Sequence, residues 1–404
     1  MNFKQPLAKK VILSSLICSL FMMNYSGFTA FAQVSKTPYI GSNAQIMQPI
    51  EPFKMPDDYP KDLSQWYKDN MDARSYVVMD QETNKILAEK EGTTPYPIAS
   101  MSKVIAIYLV YKAIDEGKLS MDSEITIPQE IADNISANPD LSNAGLVAGE
   151  KYTVKDLIYG VMLLSGNDAT SALMWEIYGN EELAVNAIKE QLAEWGITNI
   201  QFYQTSGAPN EELPESMWVP GSSATSENYM SAADVALMAK HVIEDYPQIL
   251  EVTSAEQYVF KEGTELETVI TNPNQLLAGG EYGREGITGL KSGYTDAAGR
   301  NFVATSTENG RKVIAVAMGT FGEGMSSYWE IEILLDALLD YPDLYKSDKL
   351  PVYDTNSLKE LLAQKEKEQA AKTEEKQEKT FKDYENKREN PLTNFIKNIF
   401  SVFN

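Results

Sequence analysis

Two β-hairpin patterns stand at opposite ends of the part of the chain that can form a core. In the first, apolar residues 76–79 and 85–88 flank a polar turn. In the second, residues 301–307 and 312–318 flank a turn that contains Asn-Gly, a strong hairpin signal. The patterns predict an α+β fold: one antiparallel sheet built from both ends of the domain, flanked by helices and carrying a large helical insertion.

Helical patterns fill the space between the hairpins and follow the second one. Residues 101–116 are apolar at helical spacing and stop before Gly117, a residue typical of helix C-termini. Residues 120–250 are mainly helical, and a last helix fits residues 326–339. Two helix starts carry capping boxes, in which an acid follows a Ser or Thr three residues later: Thr153 with Asp156, and Ser231 with Asp234.

The N-terminal segment has the three-part pattern of a secretory signal peptide. Three lysines precede an apolar run at residues 11–23, and an Ala-Phe-Ala cleavage site ends at residue 32. The alternative is a retained transmembrane anchor, but the run is shorter than the ~20 apolar residues that a span requires. We therefore expect residues 1–32 to be removed and the protein to be exported.

Composition excludes several kinds of chemistry. Cys18 is the only cysteine and lies in the predicted signal peptide, so the mature chain is expected to contain no disulfide, catalytic thiol or cysteine-bound metal. The formal charge of −23 becomes −26 without that peptide, which carries three lysines and no acid. Such a negative protein repels phosphate polymers, which argues against nucleic-acid binding.

The pattern divides the mature chain into four parts. Residues 33–60 are rich in proline and polar residues and form an expected linker. The catalytic domain is placed at 61–345, with core structure expected to begin near Tyr76. Residues 346–390 are dominated by Lys, Glu, Gln and Ala, the composition of a solvated helical or disordered linker.

The last segment, residues 391–404, reads as an amphipathic helix too short to span a bilayer. Its apolar face carries Leu392, Phe395, Ile396, Ile399, Phe400 and Phe403. Bulky apolar residues at the end of a charged tether favour a position in the membrane interface. We expect anchoring at the outer face of the cytoplasmic membrane, with docking onto the protein itself or onto a partner chain as the alternative.

The only histidine, His241, lies in the last turn of the helix that Ser231 begins. This position suits a helix-terminal or half-buried histidine better than a catalytic base. A Ser-His-Asp triad is therefore not expected, and a site with several histidine ligands is excluded. Another group must activate any nucleophile.

Ser100 and Lys103 form the first candidate pair, where the chain enters the first core helix. Residues three apart share a helical face, so the hydroxyl and the amine can meet. A lysine is a general base only when neutral, which requires desolvation or a second cation nearby. The apolar helix supplies the desolvation. The backbone N–H of Ser100 is suited to donate a hydrogen bond to an oxyanion.

Two further polar motifs join this pair. Ser165-Gly166-Asn167 offers a hydroxyl that can relay protons and an amide that can hold a substrate peptide group. The third motif is Lys291-Ser292-Gly293, followed by Tyr294 and Thr295. A cation and a hydroxyl beside a glycine suit a peptide carboxylate that docks along a strand edge. Each motif alone is more often an ordinary turn.

The three motifs, in this order, resemble the signature of penicillin-binding proteins and serine β-lactamases, and their flanking residues resemble low-molecular-weight D-alanyl-D-alanine carboxypeptidases. The resemblance implies that Ser100 attacks the penultimate D-alanine of a peptidoglycan stem peptide while Lys103 accepts its proton. Ser165 then protonates the leaving amine, Asn167 holds the substrate backbone, and Lys291 and Ser292 bind the terminal carboxylate. The N–H groups of Ser100 and Tyr294 form the oxyanion hole. β-Lactams are the implied inhibitors, and no metal or other cofactor is implied.

The resemblance leaves alternatives and departures. Endopeptidase or transpeptidase activity would use the same residues, and a non-catalytic stem-peptide or penicillin-binding protein is the alternative of another class. A β-lactamase of the nearest class needs a glutamate in an E-x-x-L-N pattern, which the sequences at Glu181 and Glu211 do not match. Ser292 replaces the usual threonine. Arg284 and Arg300 are the arginines nearest in sequence to the carboxylate site.

Overall fold

The computed structural model describes residues 51–322 and 326–400. The strands in chain order are β1 Ser75–Asp80, β2 Ile86–Lys90, β3 Tyr96–Pro97, β4 Glu124–Thr126, β5 Lys151–Thr153, β6 Tyr229–Met230, β7 Gln257–Phe260, β8 Thr268–Thr271, β9 Gly289–Thr295, β10 Gly299–Glu308 and β11 Arg311–Thr320. The helices are α1 Lys61–Asn70, α2 Lys103–Asp115, α3 Gln129–Ile131, α4 Val154–Leu163, α5 Asn167–Tyr178, α6 Glu181–Glu194, α7 Ala232–Asp245, α8 Ile249–Ser254, α9 Ser327–Leu339 and α10 Thr355–Phe400.

The central sheet has the strand order β2-β1-β11-β10-β9, and all four neighbouring pairs are antiparallel. The N-terminal hairpin therefore pairs with the C-terminal strands through β1 and β11, where Val77 lies opposite Val316. Asn309 and Gly310 have φ angles of 52° and 75° in the β10–β11 turn, the backbone that the Asn-Gly sequence favours. The predicted α+β fold is confirmed.

The sheet is covered on both faces, which explains why β1 is buried at every position. Val77 and Met79 belong to a core shared with the inserted helices, and Tyr76 and Val78 to a second core shared with α1 and α9. Alternate residues of a strand point to opposite faces, so one strand serves two layers. The insertion runs from α2 to α8 and places its helices on the first face.

Side-chain caps fix the starts of two inserted helices, as the sequence predicts. Thr153 Oγ1 accepts from the N–H of Asp156 at 3.0 Å, and α4 begins at the next residue. Ser231 Oγ accepts from the N–H of Asp234 at 3.1 Å before α7. Each cap satisfies an N–H that the first turn leaves without a partner.

The packed body begins earlier and ends later than the sequence indicated. Core structure starts in α1, where Leu63 and Tyr67 are buried, so the expected start near Tyr76 is wrong. Leu63, Trp66 and Tyr67 recur at helical spacing, so this helix carries a periodic signal in the sequence although it has few apolar residues. Beyond residue 345, Leu350 and Leu358 are buried, and the hydroxyl of buried Tyr353 donates to Asp234 Oδ1 at 2.6 Å.

The charged C-terminal segment is helical. Helix α10 is 46 residues long, about 69 Å at 1.5 Å per residue. After its first turn it is largely exposed through Lys382, and Lys382 pairs with Glu378 on its surface. No helix in the described ranges has both the length and the apolarity to cross a membrane. The predicted signal peptide, and residues 401–404 of the predicted amphipathic helix, lie outside the described residues.

Candidate active site

Ser100 lies in the 3-10 turn Ala99–Ser102 that leads into α2. Ala99 has a φ of 48°, a left-handed backbone that is uncommon for a residue with a Cβ. Asn301 of β10 donates from Nδ2 to the carbonyl of Pro97 at 3.0 Å, so the sheet holds the approach to this turn. The Ser100 hydroxyl is partly exposed, which suits a nucleophile.

Lys103 is fully buried beneath Ser100, and its amine contacts three oxygen atoms. Nζ lies 2.8 Å from Ser100 Oγ, 2.7 Å from Asn167 Oδ1 and 2.7 Å from the carbonyl oxygen of Ser206. A neutral amine has two N–H donors and one lone pair. Because the amide and carbonyl oxygens can only accept, they take both donors, and the lone pair then faces the Ser100 hydroxyl.

The surroundings of Lys103 favour that neutral form. Burial is the largest cause that holds the pKa of Lys103 well below its ordinary value, and the neighbouring cation Lys291 acts in the same direction. The carboxylate of Asp168 acts the other way. The desolvation expected from the apolar helix is thus the main cause, and Lys291 is the second cation nearby.

The second motif approaches from the start of α5. Ser142 holds Asn167 in place, because the Ser142 carbonyl accepts from Asn167 N at 2.9 Å and from Nδ2 at 3.0 Å. Asn167 Oδ1 is thereby directed at Lys103. Ser165 has a φ of 57°, and its Oγ accepts from Lys291 Nζ at 3.1 Å. Since that contact uses a lone pair, the hydroxyl proton of Ser165 is left to donate.

Asp168 anchors the loop that carries Ser142. Its carboxylate is fully buried and accepts from the backbone N–H groups of Ala144, Gly145 and Leu146 at 2.8, 3.0 and 3.1 Å. Three such donors satisfy a buried carboxylate without a cation. Asp168 therefore fixes the geometry of the Asn167 side through this loop.

Lys291 links the second motif to the third. It lies within β9 rather than at the start of the strand, is 3% exposed, and also donates to the carbonyl of Ser292 at 3.2 Å. Burial lowers the pKa of Lys291 to about 7. A substrate carboxylate beside it would favour the charged form, so Lys291 can gain its proton when an acid binds.

Gly293 is the position where β9 packs against the nucleophile turn. A Cβ at Gly293 would lie 2.7 Å from the carbonyl oxygen of Ile98 and 3.2 Å from the backbone nitrogen atoms of Ser100 and Met101. Only glycine permits this approach. The next residue is Tyr294, so the two N–H groups predicted for the oxyanion hole belong to adjoining segments.

The remaining residues of the third motif divide between the two faces of β9. Ser292 lies opposite Phe302, on the face of β9 away from Lys291. Thr295 is buried on the Lys291 face and donates to Glu227 Oε2 at 2.7 Å. The Tyr294 side chain is 61% exposed.

The two arginines considered for the carboxylate site differ in their partners. Arg284 makes two hydrogen bonds to Glu308 and pairs with Asp336 of α9, so it is committed to the second core face. Arg300 lies opposite Tyr294 in the β9–β10 pair, with its guanidinium 6.0 Å from the ring centroid. It makes no ion pair with any described residue.

His241 has the structural position that the sequence predicts. Its Nε2 lies 2.8 Å from Oγ1 of Thr355, the first residue of α10. Its ring stacks on Trp195. Burial lowers the pKa of His241. Over the described residues, no cluster of three or more His, Cys, Asp or Glu side chains is arranged to bind a metal ion.

Sequence reasoning missed the Ser206 carbonyl and the groups that support it. A backbone carbonyl has no side-chain signature, and Ser206 is far in sequence from Lys103. The adjacent Gly207 is the one sequence signal for this contact. Its φ is 78°, and a Cβ there would lie 2.0 Å from the carbonyl oxygen of Ala99. A glycine that permits close backbone contact marks the loop that meets the nucleophile turn.

Comparisons with known proteins agree with this geometry. A family model described as D-alanyl-D-alanine carboxypeptidase matches residues 63–322, a range that includes the whole site. The D-alanyl-D-alanine carboxypeptidase DacF of Bacillus subtilis is 29% identical over 248 residues, which cover 61% of this chain and 57% of DacF. DacA of Haemophilus influenzae is 31% identical over 251 residues, with coverages of 61% and 57%. The match thus spans less than two thirds of either relative.

A solved structure shows the same architecture. The peptidoglycan synthesis regulatory factor (PBP3) from Streptococcus pneumoniae superposes with a TM-score of 0.63 at 34% identity, over 68% of this chain and 72% of that chain.

Proposed function

Because this chain belongs to the D-alanyl-D-alanine carboxypeptidase family of peptidases, we propose that it removes the terminal D-alanine from peptidoglycan stem pentapeptides. The observation that carries the proposal is the contact set of Lys103. A buried amine with a depressed pKa lies 2.8 Å from the Ser100 hydroxyl and has acceptors for both of its protons. This arrangement supports a serine nucleophile that needs no histidine.

In the first step, Ser100 Oγ attacks the carbonyl carbon of the penultimate D-alanine, and its proton passes to Lys103 Nζ. The oxygen that gains negative charge lies toward the N–H groups of Ser100 and Tyr294. Asn167 Nδ2 donates to Ser142 in the free protein. A substrate carbonyl would compete for that amide, which is consistent with a role in holding the peptide backbone.

The second step breaks the peptide bond. Ser165 donates its proton to the leaving nitrogen and recovers one through its contact with Lys291. D-Alanine departs and leaves an ester between Ser100 Oγ and the shortened peptide. Water then attacks the ester carbon and gives one proton to Lys291, while Ser100 Oγ leaves with the proton that Lys103 holds. Both lysines and Ser100 thereby return to their starting states, and the tetrapeptide is released as its acid. Lys291 balances the terminal carboxylate before and during the first step.

The position of Glu181 bears on the β-lactamase alternative. Glu181 is buried and accepts hydrogen bonds from Trp175 and Thr205, so it is not available to activate a deacylating water as in a β-lactamase. The acyl-enzyme formed with a penicillin should therefore persist. We propose β-lactams as acylating inhibitors for this reason, and stem peptides ending in D-Ala-D-Ala as substrates.

The activity is tested with the soluble fragment 33–390 and a pentapeptide that ends in D-Ala-D-Ala. Wild type should release D-alanine, and Ser100→Ala should release none above the peptide-only control. An inactive wild type that still becomes acylated by penicillin would favour the binding-protein alternative. A wild type that cleaves cross-linked dimers but not the pentapeptide would favour an endopeptidase.

We also propose that the protein is exported and held at the outer face of the cytoplasmic membrane by residues 391–404. Support comes from the apolar face of that segment and from the length of α10, which provides reach. Deleting residues 391–404 should release the protein from vesicles. Replacing Phe395 and Phe400 with Ser should do the same, whereas replacing the polar-face residues Asn394 and Asn398 with Ser should not. Undiminished binding of the truncated chain would contradict the anchor.

A further inference from the structure

Ser206 lies between α6 and β6 in residues 202–209, a stretch that has no helix or strand of its own. Its carbonyl is one of the two acceptors that orient Lys103. No sheet or helix ladder fixes the direction of this carbonyl. The neighbouring residues must therefore be held by other contacts if the Lys103 lone pair is to face Ser100.

Contacts on both sides of Ser206 hold the segment. Asn228 Oδ1 accepts from the N–H groups of Tyr203 and Gln204 at 2.7 and 3.2 Å. On the other side of Ser206, Gly207 packs against the carbonyl of Ala99. Between them, Glu181 Oε1 accepts from the N–H of Thr205 at 2.5 Å. The contact of Glu181 is therefore with the residue directly before Ser206.

Glu181 is the first residue of α6 and is unusual there because it is buried. It is only 6% exposed, and its second oxygen accepts from Trp175 Nε1 at 2.7 Å. Its neighbour Glu182 is exposed. Both acids complement the N-terminus of α6, but that interaction is available at the surface. A buried carboxylate is costly unless its hydrogen bonds are used.

We propose that Glu181 is a positioning residue for Lys103, acting through the backbone of Thr205 and Ser206. Trp175 fixes the carboxylate, the carboxylate fixes the Thr205 N–H, and the adjoining carbonyl is thereby directed at Lys103 Nζ. This inference rests on the proposed function, since it concerns the base of that reaction. It assigns no contact between Glu181 and the substrate.

Glu181→Gln tests the proposal, with Glu182→Gln as the matched control. The glutamine has one acceptor oxygen in place of two, so either Thr205 N–H or Trp175 Nε1 must lose its partner. The Ser206 carbonyl then loses its fixed direction. Since a carbonyl acceptor stabilises the ammonium form of Lys103, its loss lowers the pKa of Lys103 further.

The measurement is the rate of acylation by a fluorescent penicillin between pH 5 and 10, alongside kcat and KM for D-alanine release. For Glu181→Gln we expect the plateau rate to fall about ten-fold to a hundred-fold, as for other misplaced catalytic groups. KM should change little, and the acid limb of the profile should move to lower pH. Lys291 and Asp168, whose charges also act on the pKa of Lys103, are retained in both variants. Glu182→Gln should match wild type.

Two results would overturn the proposal while leaving the proposed function intact. One is a plateau for Glu181→Gln within two-fold of Glu182→Gln, and the other is a lower plateau with an unmoved acid limb, which indicates partial misfolding alone. Trp175→Phe keeps the Thr205 contact and provides a folded second variant with a smaller change in the same direction. An inactive, unacylated wild type would instead reject the proposed function.

Discussion

Lys103 is a side chain that ordinarily carries a charge, placed where a charge is unfavourable. Two lysines share the site, yet Asp168, the carboxylate that acts on the pKa of Lys103, is already satisfied by backbone N–H groups. With so little compensation, burial decides the protonation state of Lys103. The chemistry of this site is thus set by desolvation and by the geometry of neutral acceptors.

Asn167→Asp puts a negative charge in place of the neutral oxygen that Lys103 contacts. An opposite charge at this distance raises a pKa by about one to three units. We expect acylation by penicillin at pH 7 to fall about ten-fold or more and to recover as the pH rises. Asn167→Ala removes the acceptor without adding charge, so its acid limb should not move upward. An Asp variant with an unshifted profile would contradict the role of neutral Lys103.

The pKa of about 7 for Lys291 predicts a pH dependence of carboxylate binding. In the free protein Lys291 is charged below pH 7 and neutral above it, so affinity for a terminal carboxylate should weaken as pH rises. The loss should approach about ten-fold per pH unit above 7. Calorimetry with the Ser100→Ala variant and the pentapeptide acid measures this. The C-terminal amide is the control ligand, and the same pH dependence for both ligands would exclude Lys291.

At the scale of elements, the site is a junction between one sheet edge and the helical insertion. β9 brings the third motif, α2 brings the nucleophile and base, and α5 brings the second motif. The apolar spacing of residues 101–116 predicted α2, and α5 lies within the region predicted to be mainly helical, whereas neither predicted hairpin includes β9. The junction itself could not be predicted that way, because it depends on Gly207 and Gly293, where main chain meets main chain.

Gly293→Ala should separate β9 from the nucleophile turn. A Cβ 2.7 Å from the Ile98 carbonyl cannot be relieved by a side-chain rotation, so the strand must move. We expect acylation to slow by about ten-fold to a hundred-fold. The free energy of unfolding should drop by only about 1–3 kcal/mol. Urea denaturation measures the second quantity, and full activity in the variant would show that the close approach is dispensable.

At the scale of the whole molecule, the C-terminal segment is part of the fold before it becomes a tether. The charge and low hydrophobicity of the sequence after residue 345 predict a linker, and most of the described segment is exposed to solvent. The exception is a short stretch with Leu350, Tyr353 and Leu358, which packs on the body. Three scattered apolar residues among charges leave no periodic signal, so the sequence could not reveal this packing.

A truncation pair tests where the body ends. The fragment 51–345 loses Leu350, Tyr353 and Leu358, whereas 51–365 keeps them. At about 1.5–3 kcal/mol for each buried side chain, the shorter fragment should be less stable by on the order of 5 kcal/mol or more. Urea unfolding of both fragments gives the comparison. Equal midpoints would show that this packing contributes little.

The proposed reaction requires that Ser100 is the nucleophile and that neutral Lys103 activates it. Intact-mass spectrometry after exposure to a penicillin, followed by peptide mapping, tests it most directly. Wild type should gain one penicillin mass on the peptide that contains Ser100, Lys103→Ala should gain it far more slowly, and Ser100→Ala should gain none. A stoichiometric adduct that persists in Ser100→Ala would place the nucleophile elsewhere and contradict the account.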